Sequence, residues 1–171
     1  VGSEMCIRDR VPVASSKTYD ILPIDDHANY QKKYNNLIVL ENDIYAKSKS
    51  DYEAYDAVFV LHPDSIARSA DLAVPVKDFK IRLVSAFCEN HKNAQVIDAA
   101  ALRAIAASQQ GLDVVYPAIG DNFDFLCRLR DESGVLLHFL KRPEDVFCWQ
   151  FAKKGFFNFK KHIPDMISFA Q

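Results

Sequence analysis

The sequence predicts an α/β domain with a mostly parallel or mixed sheet flanked by helices, and three observations carry that expectation. First, Leu37-Ile38-Val39-Leu40 and Ala57-Val58-Phe59-Val60-Leu61 are short, unbroken apolar runs. Runs of this length, rich in β-branched residues and bounded by polar ones, suit strands buried on both faces of a parallel sheet. Second, strand-like and helix-like segments alternate downstream, joined by short turns, as α/β packing requires. Third, a chain of 171 residues that is 49% hydrophobic and 26% charged has the balance of one globular domain with a real core.

Taken in order, Val1 to Arg10 (VGSEMCIRDR) lacks an apolar stretch and is not a signal peptide. It resembles the translated adapter read-through found at the ends of metagenomic reading frames. On that reading the protein proper begins near Val11, its own N-terminus is lost, and residues 11–142 form the α/β domain. Thr18 to Ile24 reads as a short strand, with Pro23 placing it at an edge or an end. Asp25 to Asn36 is polar and predicts a loop or one helical turn before the Leu37–Leu40 strand. Asn42 or Asp43 is an expected cap for a helix running to about Tyr55, ahead of the Ala57–Leu61 strand. Ala70 to Val76 reads as a loop because Pro75 opposes a regular helix. Phe79-Lys80-Ile81-Arg82-Leu83-Val84 alternates apolar and charged residues, which predicts a half-exposed strand.

Asn93 then reads as the cap of a helix from Ala94 to about Gln109. Its apolar face would be Val96, Ile97, Ala100, Ala101, Ala104 and Ile105, with Gly111 as the stop. Asp113 to Pro117 predicts another strand, Phe123 to Leu129 a helical turn or two, and Gly134 to Phe139 the last strand. From Pro143 to the end, Phe147, Trp149, Phe151, Phe156, Phe157 and Phe159 interleave with Lys153, Lys154, Lys160 and Lys161. This tail (143–171) is expected to pack on the domain, its rings covering the sheet edge and its lysines in water. The same pattern suits peripheral contact with an anionic membrane surface.

Charge and motifs narrow the function classes. A formal charge of −2 gives no footprint for nucleic acid. Cys6, Cys88, Cys127 and Cys148 show no C-x-x-C spacing, which disfavours a zinc ribbon or a disulfide framework and suits a reducing cytoplasm. There is no G-x-S-x-G, no G-x-x-x-x-G-K-[ST] and no G-x-G-x-x-G. The sharpest signal is His62-Pro63-Asp64-Ser65, placed directly after an apolar strand, where ligands of open α/β sheets bind. His138 follows a second apolar run. Two imidazoles and a carboxylate at one sheet edge would suit a manganese- or zinc-like ion; polar strand ends with local hydrogen bonds are the alternative. Asp121 to Asp124 either holds a substrate hydroxyl or caps a helix.

The order of these features resembles family 8 glycosyltransferases of the GT-A fold. Tyr55-Asp56, Val58 to Leu61, His62-Pro63-Asp64-Ser65 and Asp71-Leu72 are similar to the family's first block, and His138-Phe139 with Pro143 and Trp149 to a later one. The resemblance spans about Asp51 to Trp149. It implies a GT-A-like domain that transfers a sugar from a nucleotide-sugar donor to a cell-envelope glycan acceptor. His62, Asp64 and His138 would hold Mn2+, neutralising the departing diphosphate. Gln95 and Asp98 would be catalytic and face the sugar, and Tyr55, Ser65, Asn122 and Lys141 would bind substrate. His62 stands where the family has the first aspartate of its pair, and the nucleotide-binding N-terminal strand is not found. Leu37 to Tyr45 and Ser69 to Val76 are also similar to segments of molybdopterin-type oxidoreductase subunits, without the glycine-rich block that follows there. The rival class is a non-catalytic α/β module whose basic-aromatic tail binds a membrane surface or a partner protein.

Overall fold

Apolar runs and amphipathic segments do alternate along the chain, but their boundaries are set by caps and prolines as much as by periodicity. A computed structural model describes residues 30–44, 48–117, 119–152 and 155–170. Its elements are β1 (Asn36–Val39), α1 (Lys49–Glu53), β2 (Ala57–Leu61), α2 (Val74–Asn90), β3 (Ala94–Ile97) and α3 (Ala99–Ser108). They continue with β4 (Gly111–Val115), α4 (Asp121–Ser133), β5 (Leu136–Leu140), α5 (Pro143–Trp149), α6 (Gly155–Lys160) and α7 (Ile163–Phe169).

The five strands form one all-parallel sheet in the order β3-β2-β1-β4-β5. The chain winds outward from β1 to β3, then crosses back to place β4 on the other side of β1. Helices therefore cover both faces. One core joins Ile38, Leu40, Leu61 and Leu112 to Leu102 and Ala106 of α3 and Phe125, Leu126 and Leu129 of α4. The other joins Leu37, Val39, Val58 and Val60 to Tyr52 of α1 and Val84 and Phe87 of α2. Alternate residues of β1 serve the two cores, and this is why its apolar run is continuous. The expected α/β class with a parallel sheet is what the structure has: a doubly wound sheet whose winding reverses between β1 and β4.

Several local expectations are corrected. The Phe79–Val84 strand is the middle of α2, whose buried residues Val84 and Phe87 lie three apart. Pro75 does not oppose this helix but opens it, because the first turn has no internal partner for the missing N–H. The first half of the expected Ala94–Gln109 helix is strand β3, and the helix proper begins after Asp98, whose side chain accepts from the Ala101 N–H at 2.7 Å. The face it buries is Ala99, Leu102 and Ala106, and Gly111 opens β4 instead of ending the helix. Asn93 caps nothing; its Nδ2 donates to the Tyr52 and Tyr55 carbonyls, each at 2.8 Å. Nor do Asn42 and Asp43 cap a helix. Ser48 does, through a capping box with Asp51 that starts the short α1. The Thr18–Ile24 strand lies outside the described residues, as do Lys153 and Lys154.

The amino end of the sheet is tied together by a buried carboxylate in β4. Asp113 accepts from the Lys33 N–H at 2.9 Å, the Tyr34 N–H at 3.2 Å and the Tyr55 hydroxyl at 3.0 Å. Burial and the neighbouring Asp113 charge push the Tyr55 phenol far up, so it stays a donor. Tyr55 is thus a structural strut at the end of the sheet away from the strands' carboxyl edge, not a substrate contact there.

Candidate functional site

The winding reverses at the carboxyl ends of β1 and β4, whose connections leave to opposite faces; this is the position where open α/β sheets bind ligands. β1 delivers Leu40-Glu41-Asn42-Asp43 to this edge, and β4 delivers Tyr116 and the start of α4. Glu41 is almost fully buried there. Arg68 Nη2 and Lys80 Nζ both donate to its Oε1, at 2.9 and 3.1 Å, and Asn122 Nδ2 donates to Oε2 at 3.3 Å. Burial alone would push the Glu41 carboxyl up; the Lys80 hydrogen bond and the Lys80 and Arg68 charges outweigh it and hold the group ionised below the usual range. Lys80 also donates to Asn42 Oδ1 at 2.6 Å.

Two oxygens beside this network have no donor. Asp43 Oδ2 and Asn122 Oδ1 are buried acceptors without a hydrogen-bond partner, and Asn122 as a whole is only 6% exposed. Burial pushes the Asp43 carboxyl up to about 6, with the Arg142 charge opposing and the Glu41 charge assisting. A buried acceptor left unpaired costs free energy, about 1–3 kcal/mol. A third such oxygen, Asn93 Oδ1, lies at the amino end of β3 and stands alone. Asp43 and Asn122 differ from it in flanking one carboxylate at a ligand-binding edge.

Next to these strand ends, the segment between β2 and α2 arches over the sheet edge. Arg68 pins it to Glu41 and also donates to the Pro63 carbonyl at 2.9 Å, while Ser69 N–H donates to Asp121 Oδ1 at 3.1 Å. A cleft of about 430 Å3 lies on one side, lined by Ser65, Arg68, Ser69, Arg103, Asp121 and Arg128 among others. A second of about 530 Å3, lined by Asp64, Arg68, Asp71 and Lys77, lies on the other. Both are of the size that takes a small molecule. Arg103 is paired with Glu132 at 3.2 Å, whereas no ion pair to Arg128 is present among the described residues.

The expected metal centre is not assembled. β2 and β5 are separated by β1 and β4, so His62 and His138 lie three strand spacings apart, ~14 Å at ~4.8 Å each. Their levels differ too. His138 is in register with Asp113, and through Leu37 with Val58 near the start of β2, whereas His62 follows that strand's end. A shared ion needs ligand atoms within ~2–2.3 Å of it. Asp64 instead pairs with Lys77 at 3.3 Å, its N–H faces His62 Nδ1 at 3.3 Å, and His138 Nε2 meets the Gln31 carbonyl at 3.1 Å. His62, Asp64 and His138 therefore do not fit a common Mn2+. Among the described residues no group of three or more His, Cys, Asp or Glu side chains could hold a metal ion.

The remaining expected site residues divide. Gln95 lies exposed on edge strand β3, in register with Phe59 of β2, and Asp98 is spent as the α3 cap. Neither joins the edge formed by β1 and β4. Ser65 lines the first cleft and bonds the His62 carbonyl at 2.7 Å. Asn122 is buried beside Glu41 near the ends of β1 and β4, and Lys141 Nζ lies 5.8 Å from the centre of the Tyr116 ring. Residues missed by sequence reasoning are Glu41, Asp43, Arg68 and Lys80. The available signal was the run of polar residues directly after the Leu37–Leu40 strand, which mirrors the one after Ala57–Leu61.

The tail splits in two. Phe147 stacks on Phe169 at 4.1 Å, Phe151 on His162 at 4.3 Å, and Trp149 meets Tyr116 at 5.5 Å. Phe157, by contrast, is 82% exposed. Among the described residues no helix is long and apolar enough to cross a membrane. No family model matches the sequence, and a search of curated proteins finds no match to it.

Proposed function

We propose that this chain binds a nucleotide-class ligand at the carboxyl edge of β1 and β4, and that the bound species is a nucleotide-sugar donor. The observation that carries the binding proposal is the pair of buried, unpartnered acceptors, Asp43 Oδ2 and Asn122 Oδ1, at the point where the winding reverses. Vicinal hydroxyls of a ribose or a sugar would supply the donors these oxygens lack, at the strand edge where ligands of open α/β sheets bind. The diphosphate lies toward the neighbouring cleft, where Arg128 offers positive charge beside the carboxylates of Asp121 and Asp124.

Within that class, sugar transfer rests on the resemblance of residues 51–149 to family 8 glycosyltransferases. With His62, Asp64 and His138 apart, no step is assigned to a metal. The acceptor glycan's hydroxyl oxygen forms the new bond to the anomeric carbon as the bond to the diphosphate breaks. Asp43, with its carboxyl near 6, takes the hydroxyl proton, since a base poised just below neutrality is ionised yet basic enough to act. The matching localisation is cytoplasmic, with the tail touching the inner face of the membrane and nucleic acid playing no part.

Thermal shift and calorimetry with uridine, guanosine and adenosine diphosphates and their sugar conjugates test this reading. A true ligand present at 100 times its Kd stabilises the fold by about 2.7 kcal/mol. No shift and no binding heat across the panel would contradict it. A non-catalytic module docked through its tail is the second reading, favoured by the exposed rings of Phe156 and Phe157 beside Lys160 and Lys161. It predicts co-sedimentation with phosphatidylserine vesicles that is lost in Phe156→Ser/Phe157→Ser, with no nucleotide response.

A further inference from the structure

The segment from His62 to Ala73, between β2 and α2, holds no helix or strand, yet it is braced within itself. Ser65 donates to the His62 carbonyl from its N–H at 3.0 Å and from its hydroxyl at 2.7 Å, and Arg68 donates to the Pro63 carbonyl at 2.9 Å. Four ties hold this arch to the rest of the domain. Ile66 is buried in the core of α3 and α4, and Arg68 Nη2 reaches Glu41 Oε1 at 2.9 Å. Ser69 gives both its N–H and its hydroxyl to Asp121, and the part-exposed Asp64 pairs with Lys77 at 3.3 Å. Beyond Ser69, the residues Ala70, Asp71 and Leu72 make no hydrogen bond among the described residues.

The two cations beneath the arch are not equivalent. Lys80 Nζ donates to the same Glu41 Oε1, at 3.1 Å, so one carboxylate oxygen carries one cation more than neutrality needs. Lys80 belongs to the 17-residue helix α2 and is held further by Asn42 Oδ1 at 2.6 Å. Arg68 belongs to the irregular arch. When Arg68 leaves, Lys80 still pairs the buried carboxylate, and no charge is stranded. Asn122 lies between the two polar anchors, next to Asp121 in the chain and donating to Glu41 at 3.3 Å. Ile66, Ala67 and Arg68 line both of the neighbouring clefts, so the arch is the wall that divides them.

We propose that residues 62–73 are a gate: Arg68 latches it to Glu41, and its release, with Lys80 left as the counter-charge, joins the two clefts and uncovers Asn122. Segments that open locally have few buried apolar contacts and exposed hydrogen bonds, and the Ser69 bonds to Asp121 are of that kind. Gating loops of this sort admit and enclose ligands. The gate's role as a ligand entrance rests on the nucleotide reading above; its opening does not. A fixed loop predicts instead that Arg68 and Lys80 are interchangeable, each only stabilising the fold.

The experiment reads a thiol placed behind the gate. In full-chain Asn122→Cys, iodoacetamide labelling at position 122 is mapped by mass spectrometry and followed in urea below the unfolding transition. The expected rate does not change with urea, as local opening exposes little surface; a rate that climbs with the slope of global unfolding overturns the gate. In the same background, Arg68→Ala should label at least about tenfold faster than Lys80→Ala, because only Arg68 carries the latch bond to a charged partner. Equal rates, or a faster Lys80→Ala, overturn the latch. Thermolysin cleavage before the buried Ile66 gives the same urea comparison in the unsubstituted chain, so the test survives an Asn122→Cys chain that fails to fold. Urea-independent labelling with no nucleotide binding heat keeps the gate and removes the nucleotide; binding heat with labelling only by global unfolding does the reverse.

Discussion

At the residue scale, Glu41 and Asp43 lie two positions apart on one turn yet carry opposite electrostatics. Glu41 is buried with two cations on one oxygen and an amide on the other. Its carboxyl is held below its ordinary value, so its stabilising contribution is present above the unfolded-state value of 4.5 and lost as pH falls through the lower folded value. Glu41→Ala leaves Arg68 and Lys80 largely buried without a counter-charge, and should cost about 3 kcal/mol in urea unfolding at pH 7. Asp43 behaves in the reverse sense. Its folded value of about 6 lies above the ordinary 3.8, so the unfolded chain ionises first and stability declines as pH rises from about 4 to about 6, then levels off. Asp43→Asn should remove that slope and raise stability at pH 7 by about 1 kcal/mol, after allowance for partial solvent screening. Unfolding midpoints from pH 4 to 7.5 check this, and an unchanged slope would remove the case for a buried, poised carboxyl.

At the element scale, the same physics explains what could be read in advance. β1 and β2 were legible because strands buried on both faces must be apolar throughout, and Leu37–Leu40 and Ala57–Leu61 are. α2 was not, because Phe79-Lys80-Ile81-Arg82-Leu83-Val84 satisfies a two-residue alternation while also placing Val84 and Phe87 three apart on a helix that runs on to Asn90. β3 was hidden because Val96 and Ile97 extend the spacing of the true helix behind them. The arbiter was Asp98, a better cap than Asn93 for the chain as folded. Asp98→Ala should cost about 1 kcal/mol by losing the bond to the Ala101 N–H. Gln95→Ala, on an exposed edge, should stay within about 0.5 kcal/mol and leave any nucleotide affinity unchanged. A large loss of affinity in Gln95→Ala would restore the sugar-facing role that the family resemblance implies. The candidate site was legible only in part, since Asn122 and Ser65 stand out as polar residues near element ends. Glu41, Arg68 and Lys80 meet from three separate segments, and only the strand order brings them together.

At the scale of the whole molecule, strand order decides which candidate residues can act together. The order β3-β2-β1-β4-β5 puts His138 two strands beyond β1 from the strand that precedes His62 and Asp64, and no side chain spans that distance. The same order puts the ends of β1 and β4 side by side, where Asp43 and Asn122 each bury an acceptor oxygen without a donor. The central claim is that a nucleotide occupies this edge. Titration calorimetry of uridine diphosphate and its sugar conjugates against the wild type and Asn122→Leu tests it most directly, with cooperative unfolding confirming that the variant is folded. The account predicts saturable binding to the wild type and at least about tenfold weaker binding to Asn122→Leu, the loss of a hydrogen bond to a buried partner. Equal affinity in a folded Asn122→Leu would contradict it.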